Sequence, residues 1–539
     1  MSFGYPRPQL ERENWLDLCG LWDYAITTTA RRPATWDGQI KVPFSPEAPA
    51  SGVSRLLHPG EYLWYHRTVS FPTCGDRVLL HFGAVDQKAV VWCNGKEVAS
   101  HLGGYTPFTA DLTEALDADR QGELLVFVQD GTDTTPFARG KQRLKRGNIW
   151  YTPQSGIWQP VWAETVPADY IRSLRITPLY DEAAVEIVAE PGGTVEFMGT
   201  EYPSPARIPV PDFIPWSPET PQLYPFTVRL GEDEVKSYFA MRKITVENAR
   251  LCLNGVPYFQ NGIIDQGYNP EGLYTYPSED AMLRDLELIK EMGFNTVRKH
   301  MKTEPLRWYY HCDRLGLLVW QDMPSGGGAY SSMVVTFPIV GSRTQRDDRY
   351  SLFGRGDRIA REQYYDELGE LIDTFYNAPC IVLWTAFNAG WGQFDSEKVR
   401  RFILGRDSTR LVDPASGWHD QGTGSIQSLH VYFRRYRHRS DKLGRAVILS
   451  SFGGYNLRIW GHTWNEQDHG HNSYPDADAF ENAFRRLYEK EILPAKEAGL
   501  SAAVYAQFTD IEDEINGLVT YDRQVVKLPP DTIRRIITM

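Results

Sequence analysis

The chain has 539 residues, of which 42% are hydrophobic and 23% are charged, a composition typical of a globular protein too long for a single core. Its net charge of −12 argues against nucleic acid or an anionic membrane surface as a partner, because both require basic patches. No apolar run reaches the roughly 18 residues of a membrane span, and the N-terminus has no signal-peptide pattern. A cytoplasmic location is therefore expected, with the six scattered cysteines as buried free thiols.

Residues 1–166 have the pattern of an all-β domain. Short runs that alternate apolar and polar residues begin at Tyr62, Val78 and Ala89, and Asn94-Gly95 between two such runs predicts a tight hairpin. Evenly spaced short strands favour a β-sandwich of jelly-roll type. Residues 167–248 stay β-rich but are less aromatic, and their length fits a small immunoglobulin-like sandwich.

From residue 249 to 539 the pattern becomes strand, loop and helix in repetition. Ser278 is a good N-cap for a helix that Gly293 ends, and Thr303 is expected to cap a second helix that ends at Gly316. Eight such repeats in about 290 residues predict a (β/α)8 TIM barrel. Its strands are expected near residues 258–265, 295–300, 317–322, 381–384, 416–420, 429–432, 446–450 and 503–507.

Polar side chains follow the carboxyl ends of these predicted strands. Barrel interiors are otherwise filled by branched apolar residues, so eight polar strand ends indicate a pocket at that face. Each residue alone has an ordinary structural explanation, such as a cap or a buried ion pair. The residues are Asp265, Gln266, Arg298, His300, Asp322, Asn388, His419, Asp420, His430, Tyr432, Ser451, Gln507 and Asp510.

The loop after the seventh strand is rich in aromatic residues and histidines. We expect it to form a polar, aromatic rim for a substrate, with a plain loop as the alternative. A metal site is disfavoured because the histidines have no HExxH or comparable spacing, and no nucleotide-binding fingerprint follows a strand, so no cofactor is expected. The residues are Trp460, His462, Trp464, His469 and His471.

Several motifs, taken in chain order, resemble glycoside hydrolase family 2, which includes β-galactosidases, β-glucuronidases and β-mannosidases. They include Gly60-Glu-Tyr-Leu-Trp-Tyr-His-Arg, Ser155-Gly-Ile-Trp-Gln-Pro-Val-Trp and Gly293-Phe-Asn-Thr-Val-Arg-Lys-His. The resemblance covers essentially the whole chain. It implies an exo-acting retaining β-glycosidase that binds a small-molecule or oligosaccharide glycoside, using two carboxylates about 5–5.5 Å apart.

The resemblance also locates both catalytic positions, and neither holds a carboxylate. The family's acid/base Glu follows Asn388, where this chain has Ala389 and then Trp391. The family's nucleophile stands before Phe452-Gly453-Gly454, where this chain has Ser451. Alanine has no proton to give, and a serine without a positioned base is a poor nucleophile. The chain is therefore expected to bind sugar and to be nearly inert as a hydrolase.

Two explanations account for the missing pair of carboxylates. Either both glutamates were replaced in the laboratory, or a natural relative kept the pocket and lost catalysis. The intact motifs around Ala389 and Ser451 favour the first, because drift should blur them. A third possibility, that Asp420, Glu512 or Glu514 takes over, is disfavoured. The rival from another class is a natural non-catalytic carbohydrate-binding or sensing protein.

The resemblance further implies which side chains contact the sugar. Asn388 is expected to bind the 2-hydroxyl, and the pocket wall is expected to include Asp265, Arg298, His300, Asp322 and Trp464. Galactose is the first expectation, on family frequency alone. No Asn-x-Lys signature of glucuronidases is present, unless Arg298 or Lys302 replaces it. Barrels of this family often pair, so a homodimer stays open as an alternative.

Overall fold

The computed structural model describes residues 4–340, 344–469 and 472–539. The N-terminal region is a sandwich of a four-stranded and a six-stranded sheet, closed around one apolar core. Its strands are Trp15–Asp17, Gly20–Thr27, Gly38–Val42, Tyr62–Ser70, Arg77–Phe82, Val85–Asp86, Lys88–Cys93, Lys96–Leu102, Phe108–Asp111, Gln121–Gln129, Gly156–Ile157 and Val161–Val166. Asn94 and Gly95 have φ of 49° and 79° and join two of these strands, which confirms the predicted hairpin.

The second region is a smaller sandwich of three and four antiparallel strands around its own core. A three-stranded antiparallel sheet then connects this sandwich to the third region. The strands of the sandwich are Ser173–Leu179, Ala184–Glu190, Thr194–Phe197, Thr200–Pro203, Ala206–Pro209, Tyr224–Leu230 and Asp233–Phe239; those of the lead-in sheet are Ile244–Glu247, Arg250–Leu253 and Val256–Pro257.

The third region is an eight-stranded, parallel, nearly closed barrel. Residues of its strands are almost all buried, as expected where helices cover the outside and side chains fill the inside. The barrel strands, in order, are Gln260–Asp265, Thr296–Lys299, Leu318–Asp322, Ile381–Thr385, Leu411–Asp413, Ile426–Val431, Ala446–Gly453 and Ala502–Ala506. The fold class predicted from the sequence is confirmed.

The helices around the barrel are Glu279–Glu291, Leu306–Leu315, Ser332–Val335, Arg358–Phe375, Ser396–Arg406, Ala477–Leu487, Leu493–Ala498 and Pro530–Ile537. A π-helical turn, Tyr488–Ile492, joins the sixth and seventh of these, and the short strands Asn456–Leu457 and Ser473–Tyr474 pair before them. Ser278 accepts a hydrogen bond from Ala281 N at 3.1 Å, which confirms it as an N-cap.

Three local predictions were wrong. The fifth strand is Leu411–Asp413, and residues 416–420 form the loop after it, because polar loop residues were taken for the strand end. Pro305, not Thr303, occupies the cap position of the second helix, since the Thr303 hydroxyl instead donates to Tyr105 O across the domain boundary. Cys74 is exposed rather than buried, although none of the six cysteines forms a disulfide.

The N-terminal segment links the two sandwiches through a buried arginine, Arg12. Arg12 is 5% exposed and donates to Glu164 at 2.8 Å in the first sandwich and to Asp233 at 2.8 and 2.9 Å in the second. Within the described residues no helix is long and apolar enough to cross a membrane.

Replacing Arg12 with methionine is expected to destabilise the protein by about 3–5 kcal/mol, because two buried carboxylates lose their shared cation. The matched control is Arg172→Met, whose pair with Glu190 lies more than half exposed at 2.8 Å and should contribute about 0–1 kcal/mol. Denaturant unfolding of both variants checks this. Equal shifts of the midpoint for the two variants would contradict the role given to Arg12.

Candidate functional site

A cavity of about 580 Å³ opens at the carboxyl ends of the barrel strands. Its floor and walls combine barrel residues with a loop from the first sandwich and with the segment after the eighth strand. Of the residues predicted for the site, nine line this cavity: Gln266, His300, Asn388, Ala389, Trp391, His430, Tyr432, Ser451 and Gln507. Ala389 and Ser451 thus face one space, although 62 residues of sequence separate them.

A buried arginine holds both of these positions. Arg298 is 0% exposed; its guanidinium donates to Asp322 at 3.0 Å, to Asn388 Oδ1 at 2.9 Å and to the Ser450 carbonyl at 2.9 Å. It therefore fixes the residue before Ala389 and the residue before Ser451. Because Asn388 Oδ1 is occupied, the amide nitrogen is the group left to donate to a ligand.

His300 connects the same network to the cavity. Its Nδ1 lies 2.8 Å from Asp322 Oδ2. Burial lowers the pKa of His300 to about 4, although the hydrogen bond to Asp322 opposes this. Burial alone would raise the pKa of Asp322, but the Arg298 guanidinium and the His300 hydrogen bond bring it below its ordinary value. A neutral His300 donates from Nδ1 to the carboxylate and keeps Nε2 as an acceptor.

The surroundings of Ala389 are apolar. It packs in a cluster with Met301 and Trp391, against which Ile149, Trp150, Tyr330, Val335 and Trp418 also pack. The rings of Trp150 and Trp391 lie 5.0 Å apart, centroid to centroid. A carboxyl group in such an environment would be desolvated, which raises its pKa.

The surroundings of Ser451 are polar. Its hydroxyl accepts a hydrogen bond from Tyr432 at 2.7 Å, and the neighbouring Ser450 backbone carries the Arg298 contact. Burial raises the pKa of Tyr432 to about 12, so its hydroxyl remains a donor. Among the described residues no histidine lies within hydrogen-bond distance of the Ser451 hydroxyl, so Ser451 has no base to activate it.

One wall of the cavity comes from residues that sequence reasoning missed. Lys141 and Tyr151 of the first sandwich both contact Glu514, which follows the eighth strand; the Lys141 to Glu514 distance is 3.4 Å. Tyr151 also accepts from Gln266 at 2.8 Å. The first sandwich further supplies Asn148, Ile149 and Trp150 to the lining. No local pattern marks these residues, because only the folded chain brings residue 141 to residue 514.

Gln266 and Gln507 extend this wall. Gln266 donates to Gln507, which donates to Asn516 at 2.9 Å. The Gln266 carbonyl oxygen is buried and has no partner among the described residues. Since buried polar atoms are normally paired, this oxygen is an exception within the wall.

Seven predicted pocket residues do not line the cavity, and that prediction is corrected for them. Two of them have other partners: His419 contacts Val334 O at 2.8 Å and Asp510 accepts from Lys527 at 2.7 Å. Asp265 lies between Ile264 and Gln266, which do line it, so strand alternation points Asp265 outward to Lys299 at 2.5 Å. Arg298 and Asp322 lie beneath the floor, paired with each other. Asp420 is bound to Arg445 at 2.6 Å, and Trp464 lies under the Arg146 guanidinium at 3.9 Å.

The rim histidines are also separated by the fold. His469 lines the cavity, whereas His462 is paired with Asp522 at 2.7 Å and Trp460 is 81% exposed. His471 lies outside the described residues. Arg298 and Lys302, the two cations considered as partners of a uronic acid, are both absent from the lining.

Comparison with known proteins gives two family models that match in chain order. The sugar binding domain of glycosyl hydrolases family 2 matches residues 56–161, and the TIM barrel domain of the same family matches residues 242–451. Together the two matches span more than half of the chain.

Curated relatives are similar over most of the chain at low identity. A β-glucuronidase of Paenibacillus borealis is 24% identical over 455 residues, which cover 76% of this chain and 73% of the relative. A β-galactosidase of Pectobacterium atrosepticum is also 24% identical, over 77% of this chain but 41% of its own length. Among solved structures, a β-glucuronidase of Faecalibacterium prausnitzii covers 99% of both chains at 21% identity, with a TM-score of 0.74.

A β-galacturonidase of Eisenbergiella tayi, solved with galacturonate, has a TM-score of 0.73 at 20% identity and covers 99% of both chains. Such likenesses show the fold. The two family models, matched over more than half of the residues, show the family. The chain belongs to glycoside hydrolase family 2.

Proposed function

We propose that the cavity binds the terminal sugar of a β-glycoside and that this chain does not hydrolyse it at an appreciable rate. The observation that carries the proposal is that Ala389 and Ser451, the two positions where family 2 resemblance implies carboxylates, line one cavity. The relatives are β-glycosidases, which supports a glycoside as the ligand. A retaining mechanism requires both an acid/base and a nucleophile, and neither is present here.

The two environments are those that a pair of catalytic carboxylates requires. A glutamate at 389 would lie among Trp391, Trp150 and Met301, where desolvation favours the protonated acid. A glutamate at 451 would lie beside the Tyr432 hydroxyl and above the Arg298 network, which favours the ionised nucleophile. The scaffold that separates the two pKa values is therefore intact, which supports replacement of a formerly active pair.

Other carboxylates are poorly placed to take over. Glu512 accepts from the Thr152 backbone at 2.9 Å and does not line the cavity, and Asp420 is held by Arg445. Glu514 alone among carboxylates of the described residues lines the cavity, and Lys141 and Tyr151 bind it. One carboxylate that is already paired does not supply the two roles of the reaction.

Restoring both carboxylates, in the variant Ala389→Glu/Ser451→Glu, is expected to produce hydrolysis of an aryl β-glycoside, whereas the present chain stays at the uncatalysed rate. The panel is the nitrophenyl β-galactoside, β-glucuronide and β-galacturonide. The control is Ala389→Gln/Ser451→Gln, which restores side-chain volume without ionisable groups. If the double glutamate variant folds, binds sugar and still cleaves none of the three, the site is a natural binding site rather than a disabled hydrolase.

The single variant Ser451→Glu separates the two roles. It regains a nucleophile but no acid, so it should cleave dinitrophenyl glycosides, whose leaving group needs no proton, and fail on alkyl glycosides. Adding Ala389→Glu should then raise the rate on alkyl glycosides by about 10²–10⁴-fold. Stopped assays of both substrates test this. Equal gains on both substrate types from Ser451→Glu alone would mean that position 389 is not the acid/base position.

A neutral sugar of galactose type is the proposed occupant, and a uronic acid is the second candidate. The name of the Eisenbergiella tayi relative, a β-galacturonidase, favours the uronic acid, and Lys141 could contact its carboxylate. Against this, Glu514 already balances the charge of Lys141, so a uronate would place two carboxylates on one ammonium group.

The variant Glu514→Gln should therefore shift the preference toward uronides. Freed from Glu514, Lys141 is expected to bind methyl β-galacturonide roughly tenfold more tightly, while methyl β-galactoside changes little, a difference of about 1.4 kcal/mol. Asp420→Asn, which also removes one carboxylate but outside the cavity, is the control. Calorimetry that finds the uronide bound more tightly by the unaltered chain than by Glu514→Gln would favour the uronic acid as occupant.

A further inference from the structure

Two crossovers of the barrel contain no helix. Residues 414–425, between the fifth and sixth strands, and residues 432–445, between the sixth and seventh, are fully described and form only turns and extended chain. In a barrel of this kind a helix normally covers the outer face of each strand. The outer face of the sixth strand, which carries Gln427, Leu429 and Val431, is lined instead by the segment 432–445 and faces an open groove.

This segment, which we call the basic loop, carries five exposed cations within nine residues: Arg434, Arg435, Arg437, Arg439 and Lys442. Among the described residues none of them has a carboxylate within 4.0 Å, although the whole chain has a net charge of −12. Other exposed arginines do form ion pairs, as Arg229 does with Glu234 at 2.7 Å. A run of like charges repels itself, and a bound anion would relieve that repulsion.

Two grooves adjoin the basic loop, with volumes of about 380 and 590 Å³. They share Arg434, Arg435 and Tyr436 as a common wall. The smaller groove in turn shares Tyr432 and Phe433 with the sugar cavity. The three spaces therefore adjoin in sequence, from the cavity past Phe433 to the arginines.

The carboxylates in these grooves already have partners, whereas the arginines of the basic loop form no ion pair with any residue that the structure describes. Glu491 accepts from the Tyr436 backbone at 2.7 Å, and Asp441 accepts from Arg445 at 2.9 Å. Cations outnumber carboxylates in the lining of both grooves, three to one in the smaller and five to one in the larger, and they lie beside aromatic rings. Phe433, at the junction with the sugar cavity, is 60% exposed.

We propose that the basic loop binds the anionic part of an acidic oligosaccharide, bearing sulfate or carboxylate groups, whose terminal sugar occupies the cavity. Arginine is suited to this ligand because its planar fork binds sulfate and carboxylate oxygens in pairs. The proposal rests on the proposed function for its terminal sugar, but the loop can be tested separately. It narrows the substrate class from any β-glycoside to an acidic glycan.

Continuity with the sugar cavity favours a glycan over other anions. Binding of a protein partner or of a second copy of this chain would not account for the groove that adjoins the cavity at Phe433. A long nucleic acid would meet the acidic remainder of the surface, which repels it. An oligosaccharide of a few units needs only the cavity, the Phe433 junction and the adjoining grooves.

The test compares a sulfated β-galactan tetrasaccharide with its desulfated counterpart, and adds an oligogalacturonide tetrasaccharide to distinguish sulfate from carboxylate. Calorimetry at low salt is performed on the full chain and on the variant Arg434→Gln/Arg435→Gln/Arg437→Gln/Arg439→Gln. The matched control removes the same charge elsewhere, from exposed residues that form no ion pair within the described part of the chain: Arg31→Gln/Lys88→Gln/Lys96→Gln/Arg284→Gln.

The loop variant is expected to lose about tenfold or more in affinity for at least one acidic tetrasaccharide, with unchanged affinity for the neutral one. The control variant should retain both affinities, and salt should weaken only the acidic interaction. If the neutral tetrasaccharide fails to bind any variant, the proposed function of the cavity fails, while the loop is still judged by its own arginines.

Three results would overturn the proposal. The first is equal affinity of the unaltered chain for sulfated, carboxylated and neutral tetrasaccharides. The second is an equal loss in the loop and control variants, which would reflect net charge alone. The third is evidence for another kind of partner. Such evidence would be equally tight binding of a single-stranded DNA of matched charge, or a change of oligomeric state in the loop variant.

Discussion

The site depends on one buried cation. Arg298 has no exposed surface, and its guanidinium reaches four barrel strands or their ends: its own, that of Asp322, that of Asn388 and that of Ser450. Breaking such a buried network is costly, so the Asn388 side chain and the Ser450 carbonyl are held in place whatever side chains stand at 389 and 451. This explains how the site keeps its geometry with alanine at 389 and serine at 451. Under the proposed function, binding and catalysis would rest on different residues.

The basic loop lies outside the barrel and borders two grooves, one of which adjoins the cavity. Because the sixth strand lacks its covering helix, the loop 432–445 can carry arginines where a packed helix would need an apolar face. Phe433 joins this surface to the sugar cavity. The net charge of −12 is a sum over the whole chain, whereas the basic loop is locally positive.

Much of the fold could be predicted because its signals are local. Hairpin residues, helix caps and buried strands have short patterns, and the polar strand ends indicated the open face of the barrel. Strand alternation predicts the orientation of Asp265 correctly. Asp265 lies between two residues that face the cavity, so its side chain points away from the cavity. The wall built from Lys141, Tyr151 and Glu514 was not predictable, since it arises only when the first sandwich docks on the barrel.

The most direct test of the central claim is a crystal structure of the unaltered chain soaked with an intact aryl β-galactoside. We expect an uncleaved glycoside in the cavity, with its anomeric carbon facing Ser451, its glycosidic oxygen facing Ala389 and its 2-hydroxyl on Asn388. A cleaved sugar would contradict the claim that the chain is inert. An intact sugar whose anomeric carbon lies away from both residues would contradict the assignment of the two positions.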